Sequence, residues 1–304
     1  MYPYLYIPAL HIGSFSLGPF HPGTFGLMLW LAAVCATVVL HKNFKRFGVD
    51  ADALNVVTLV VLAGIVGAKL WHELQDVHEL AAAWRQIMLP GVMKAPGTVL
   101  LGFLHWFQAG FAWYGGLLAG IVTLLWQGHA ARFQGPNEET PGPRVGGLRM
   151  LDLAAPAAAI GYGVGRIGCL TSGDGDYGIN TTLPWGVHMA KDALVPPTPP
   201  DALVQPTPIY ELLFAVVVFW IVWKLAEKHR PVGWITGAYL ILSGFGRFLV
   251  EFVRINPKLY FGHTMSNAQV AALGSVIFGA GMMLLTRNNA PAPVTELPVE
   301  PASA

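Results

Sequence analysis

Arg166 and Arg247 are the residues of this chain whose type and setting most need a chemical explanation. Each lies inside a long apolar stretch. An ionisable group within a membrane-spanning segment costs at least about 2.5 kcal/mol unless it pairs or faces a cavity. Two such guanidiniums require an anionic partner, and acids are scarce nearby in the sequence. Phospholipid phosphate is the most available anion in that setting, and a guanidinium grips it through two parallel hydrogen bonds. The chemistry implied is recognition of a lipid headgroup at a site opening outward. Arg247, Glu251 and Arg254 follow i, i+4, i+7 spacing and share one helix face. Arg254 taken alone reads as a side chain snorkelling to the headgroups. Grouped with Arg247, it joins the substrate-binding candidates.

The elements that position these groups are membrane helices. Of 304 residues, 54% are hydrophobic and 12% charged, with a mean hydropathy of +0.52. Soluble domains average about 25% charged residues, so the expectation is an all-α polytopic membrane protein. A formal charge of +1 leaves no basic surplus for nucleic acid. Two cysteines, Cys35 and Cys169, are too few for a disulfide scaffold, and the residues suggest no metal or cofactor. A span needs about 20 apolar residues. Seven stretches qualify: Thr24–Leu40, Asn55–Trp71, Phe111–Gln127, Leu151–Leu170, Ile209–Leu225, Trp234–Phe252 and Met265–Thr286. Alternate connections hold ten Lys and Arg against five, which predicts the N-terminus outside and the C-terminus inside. In a bacterium this is a multi-pass inner-membrane protein with a periplasmic N-terminus.

Residues 1–23 form an expected interfacial segment, 24–287 the membrane domain, and 288–304 a disordered cytoplasmic tail. Within the domain, 72–110 is an expected periplasmic arm with amphipathic character, and 171–208 a small periplasmic head. At about 1.5 Å per residue, Lys69, Arg166 and Arg247 each lie about 20 Å along their helices from the inner surface. Tyr114 and Glu211 lie about one turn from the outer surface, so all five share one layer. Glycines crowd the same layer, and Gly161/Gly165 and Gly116/Gly120 have the spacing of close helix packing.

These residues resemble the bacterial prolipoprotein diacylglyceryl transferases. Gly165-Arg166-Ile167-Gly168 looks like the start of that family's signature on its fourth helix. Pro208-Ile209-Tyr210-Glu211 is similar to the start of its fifth, and Gly244-Phe245-Gly246-Arg247 through Arg254 to its sixth. Weaker echoes are Phe25-Gly26-Leu27-Met28 and Ser266-Asn267-Ala268-Gln269. The resemblance runs from about Pro22 to Leu285 and includes the seven-helix, N-out order.

The resemblance implies transfer of the diacylglyceryl group of phosphatidylglycerol to the lipobox cysteine of a preprolipoprotein, giving a thioether and glycerol phosphate. It implies that Arg166 and Arg247 stabilise the phosphate, that Glu251 orients Arg247, and that Tyr210 and Glu211 line the substrate site. The family's His-Gly-Gly is replaced by Tyr114-Gly115-Gly116, which puts Tyr114 in the base's place and the two glycines beside it. A phenol is a poorer base than an imidazole at neutral pH. The signature Asn is replaced by Cys169, open to two readings: a small packing residue or a covalent nucleophile. The signature acid corresponds to Asp174 or Asp176, whose Asp-Gly-Asp sequence reads as a turn rather than a Ca²⁺ loop. His72 and His105 lie near the same surface and could serve as base, or only hydrogen-bond. The partners implied are phosphatidylglycerol or another anionic phospholipid, a preprolipoprotein and the membrane. A second reading is a non-catalytic phospholipid-binding paralogue; a transporter fits less well, because the charges cluster at one side only.

Overall fold

Each of the seven apolar segments forms a helix, as intrasegment hydrogen bonding requires where water is absent. The computed structural model describes residues 4–12, 15–75, 77–87, 112–135, 140–173, 177–189, 198–228 and 230–289, and single residues at 97, 99, 102 and 194. In chain order the helices are α1 (Thr24–Arg46), α2 (Ala53–Gln75), α3 (Val77–Ile87), α4 (Trp113–Ala130), α5 (Gly147–Ser172), α6 (Thr207–Ala226), α7 (Trp234–Val250) and α8 (Asn267–Thr286). Five of them, α1, α2, α5, α6 and α8, are long and apolar enough to cross a membrane, and α7 is a shorter apolar helix. The chain is a polytopic membrane protein. Its outer faces carry the apolar side chains that lipid requires, with Trp30, Val122, Trp220, Phe278 and Leu285 all exposed.

Helix α5 is the hub, packing against α1, α4, α6 and α7, while α2 pairs with α4 and α7 with α8. The α2–α4 seam is a glycine contact. A Cβ on Gly67 would strike the Ala119 side chain and the Gly115 backbone, and one on Gly115 would strike Gly67 and Trp71. Gly116 and Gly120 also face α2, at Gly64 and Val60, as their spacing predicts. The Gly161/Gly165 expectation needs correction. Gly161 touches Ala32 and Ala36 of α1, and Gly168 touches Phe25 and Met28, but a Cβ on Gly165 would meet nothing, so the pair is not a close-packing pair.

At the end of the bundle away from Arg166, the core is built from Leu40, Phe44, Met150, Leu153, Val222 and Ile235. There Asp152 of α5 does for α7 what its own N-cap, Gly233, has no side chain to do. The carboxylate accepts from Gly233 N (2.7 Å), Thr236 N (2.8 Å) and Thr236 Oγ1 (2.7 Å), satisfying α7's first amides. Pro156 interrupts α5 one turn later and leaves the Asp152 carbonyl without its helical donor.

Short antiparallel pairs join the helices: β1 (Leu10–Ile12) with β2 (Phe15–Leu17), β3 (Val49–Asp50) with β4 (Arg132–Phe133), β5 (Val187–His188) with β6 (Leu203–Val204), and β7 (Lys258–Tyr260) with β8 (Met265–Ser266). Around β5 and β6, Tyr177, Met189 and Val204 make a second small apolar cluster. Of the expected arm, α3 is helical, and most of 88–111, including His105, lies outside the described residues, as do 290–304 of the tail.

Replacing Asp152 by Ala removes three hydrogen bonds to a helix start. The expected loss is about 2–4 kcal/mol at roughly 1 kcal/mol per bond, measured by thermal or denaturant unfolding in detergent. A change below about 0.5 kcal/mol contradicts the capping role.

Candidate functional site

Arg166, near the C-terminus of α5, and Arg247, near the C-terminus of α7, converge on one carboxylate from the start of α6. Arg166 Nε lies 3.1 Å from Glu211 Oε2, and Arg247 Nη1 lies 2.8 Å from Glu211 Oε1. Glu211 is 2% exposed. The expectation that acids are scarce at this depth is therefore corrected: α6 enters between the two arginine helices and brings Glu211 to both. The Glu211 side chain also accepts from Tyr162 Oη (2.9 Å), whose ring lies 4.8 Å from the Arg166 guanidinium.

The second carboxylate, Glu251, sits immediately after α7. Arg247 Nη2 reaches its Oε2 at 3.1 Å, while Ser266 Oγ (2.7 Å) and Asn256 Nδ2 (2.6 Å) donate to its Oε1. Ser266 serves twice, because its oxygen also accepts from Gln269 N in a capping box that starts α8. Glu251 thus holds Arg247 from one side while α8 holds Glu251. Arg254 does not snorkel. Its side chain is 7% exposed and lies 3.6 Å from Glu211 and 3.9 Å from Glu251. The turn after α7 draws it inward: Ile179 N donates to Val253 O, and Arg254 bridges to Gly178, where a Cβ would strike the Val253 carbonyl. Burial, and next the Arg166 guanidinium, push Arg254 down to about 10. It remains protonated at neutral pH.

Among the described residues three guanidiniums and two carboxylates share a cluster largely shielded from water. The Arg166 and Arg247 side chains stay 18% and 23% exposed, so each can also meet a phosphodiester. A phosphate that gains a second charge as a bond breaks is held more strongly still, the condition for stabilising a leaving group.

Other candidates fall around this cluster. Cys169 is half-buried and receives Arg166 Nη1 at 3.7 Å. Tyr210 is turned to the β5–β6 side, donating to Gln205 Oε1 (3.0 Å) and accepting from Trp185 Nε1 (2.8 Å). Gly115 and Gly116 serve the α2–α4 seam. Tyr114 is 41% exposed with its ring edge-on to Trp113, and among the described residues no hydrogen bond joins it to the cluster. Asp174 and Asp176 lie outside the described residues. Lys69 of the shared layer pairs with Glu73 at 2.8 Å within α2. Three contributors escaped the sequence reading. Tyr162 stands four residues before Arg166, a spacing that could have revealed it. Asn256 reaches Glu251 from 5 residues further on, across the turn after α7, and Ser266 meets it only through the tertiary fold.

A multi-helix membrane body with an arginine–carboxylate site at one end defines a class, and comparison with known proteins narrows it. Residues 13–285 match the family model described as prolipoprotein diacylglyceryl transferase. The chain is 30% identical over 276 residues to the phosphatidylglycerol–prolipoprotein diacylglyceryl transferase of Solidesulfovibrio magneticus, covering 88% of this chain and 91% of that one. It is 28% identical to the protein of that name from Clostridium tetani, covering 84% and 89%. With the Pasteurella multocida protein the identity is 27%, over 94% and 96%. The chain belongs to the prolipoprotein diacylglyceryl transferase family.

Glu211→Gln leaves Arg166, Arg247 and Arg254 close together with one carboxylate, Glu251, between them among the described residues. Removing one partner of a buried ion pair costs about 3–5 kcal/mol, whereas Tyr162→Phe deletes one hydroxyl and costs about 1–2 kcal/mol. Unfolding of the two variants side by side checks the order, and equal losses argue against Glu211 as the common partner.

Proposed function

We propose that the chain is a seven-span inner-membrane enzyme, N-terminus periplasmic, that transfers diacylglyceryl from phosphatidylglycerol to the lipobox thiol of a preprolipoprotein. The donor and acceptor are those in the names of its relatives. The observation that carries the reading is the convergence of Arg166 and Arg247 on Glu211, with both arginine side chains still partly exposed. The β5–β6 region forms the periplasmic head, and the α3 arm lies on the membrane surface.

In the reaction the acceptor sulfur, as thiolate, attacks the glyceryl CH₂ of the diacylglyceryl unit. A C–S bond forms, the C–O bond to phosphate breaks, and glycerol phosphate leaves with the bonding pair. Arg166 and Arg247 face the phosphate and stabilise its second charge. Glu211 and Glu251 keep both arginines aimed, and Arg254 adds a third guanidinium beside the two acids. The thiol proton passes to a base, for which Tyr114 occupies the sequence position of the family His.

One observation favours a second reading, a phospholipid-binding paralogue without transfer. Tyr114 is exposed and stands apart from the arginine cluster. The two readings diverge in a strain depleted of its own transferase, which the gene rescues only if it turns over.

In a radiolabelled-lipid assay with purified protein, Arg166→Gln and Arg247→Gln each lower transfer at least about 100-fold, the scale of losing one donor to a developing oxyanion. Wild-type rates in both variants sink the catalytic reading. Transfer that arises only in Tyr114→His, with none in the natural protein, supports the binder.

A further inference from the structure

The opposite end of the bundle carries a second pair of guanidiniums, Arg149 buried and Arg46 half-buried, that the transfer reaction leaves unused. Arg149, in the first turn of α5, is 6% exposed, and its Nε is sealed with no hydrogen-bond partner. Among the described residues it forms no ion pair or hydrogen bond. Its contact is with the Phe47 ring, 4.7 Å from the guanidinium carbon. The nearest acid, Asp152, directs both oxygens at the start of α7 instead. Arg46, the last residue of α1, stacks on the same Phe47 ring at 5.0 Å and on Trp223 at 5.2 Å. Its polar contacts are long: 3.4 Å to the Trp223 carbonyl and 3.9 Å to Glu227, a carboxylate that is 45% exposed and shared with Lys224. Its Nη2 also lacks a hydrogen-bond partner.

Two like charges sharing one aromatic ring repel each other, and each loses hydration on burial. The positive end of a helix adds to them, since the first turn of α5 holds no acid and Gly146 offers no side-chain cap. An arrangement of this kind gains most from an anion that takes several donors at once, and phosphate does so through its oxygens. Phe47 and Trp223 wall it with apolar surface, and indole at a bilayer boundary suits a site where acyl chains meet headgroups.

We propose that Arg46 and Arg149 form a second phosphate site, at the end of the bundle away from Arg166, that takes the headgroup phosphate of an anionic phospholipid in the adjacent leaflet. The lipid held there is structural rather than a donor, because among the described residues the two arginines contact aromatic rings, a backbone carbonyl and the Glu227 carboxylate, none of them a thiol nucleophile. It ties α1, α5 and α6 together where their ends meet.

The test uses the full chain. In vesicles containing phosphatidylglycerol with a photoreactive group beside its phosphate, the unaltered protein is labelled on peptides spanning 41–50, 144–150 and 219–230, besides any labelling around Arg166. Labelling confined to the Arg166 end overturns the proposal without touching the transfer reading, since the two ends give separate peptides. For the purified wild type in detergent, melting is followed with phosphatidylglycerol and with inorganic phosphate, and Arg46→Gln and Arg149→Gln are compared. A rise produced by the lipid alone, and reduced at least twofold in either variant, supports the lipid headgroup. A rise with inorganic phosphate alone, lost in the variants, keeps the phosphate site but removes the lipid. Equal rises in wild type and both folded variants overturn it. If both variants fail to fold, the labelling of the unaltered protein decides.

Discussion

One carboxylate holds the site together. Glu211 of α6 is buried among Arg166, Arg247, Arg254 and the Tyr162 hydroxyl, groups that come from α5, α7 and the turn after α7. A lone carboxylate at that depth pays a large desolvation penalty, which the converging cations offset. The arginines gain from it in turn, because a shared anion offsets their mutual repulsion where α5 and α7 approach. The architecture therefore follows from the charge arrangement as much as from apolar packing.

The cluster also keeps a solvent-facing part. The Arg166 and Arg247 side chains are 18% and 23% exposed, whereas Lys69 and Glu73 of α2 are 5% and 11% exposed. Glu251 is the better anchored of the two acids, since Ser266 and Asn256 hold one oxygen while the arginines take the other. The capping box of α8 thereby contributes to the aim of Arg247, and a helix start becomes part of the site's rigidity.

At the far end of the bundle, polar groups do a different job. Asp152 reaches from α5 to cap α7, fixing the register of the two helices that carry Arg166 and Arg247. Arg149, one turn before Asp152, makes no hydrogen bond or ion pair among the described residues. Membrane proteins lack a hydrophobic drive between spans, so specific polar contacts at both ends and glycine contacts along α2 and α4 set the helix arrangement.

The sequence by itself determined the membrane class, the positions of seven apolar helices and the two deep arginines, because those follow from residue type and local periodicity. It also determined family membership, through motifs around Arg166, Glu211 and Arg247. Only the tertiary structure decided that Glu211 serves both arginines, that Arg254 turns inward rather than to the headgroups, and that Ser266 and Asn256 complete the second acid. Those facts depend on which helix ends meet in space, and a helix repeat fixes neighbours three or four residues apart but not partners 36 or 15 residues away. Tyr162 lay between the two cases. Its i, i+4 relation to Arg166 was legible, while the partner that gives it meaning came from another helix.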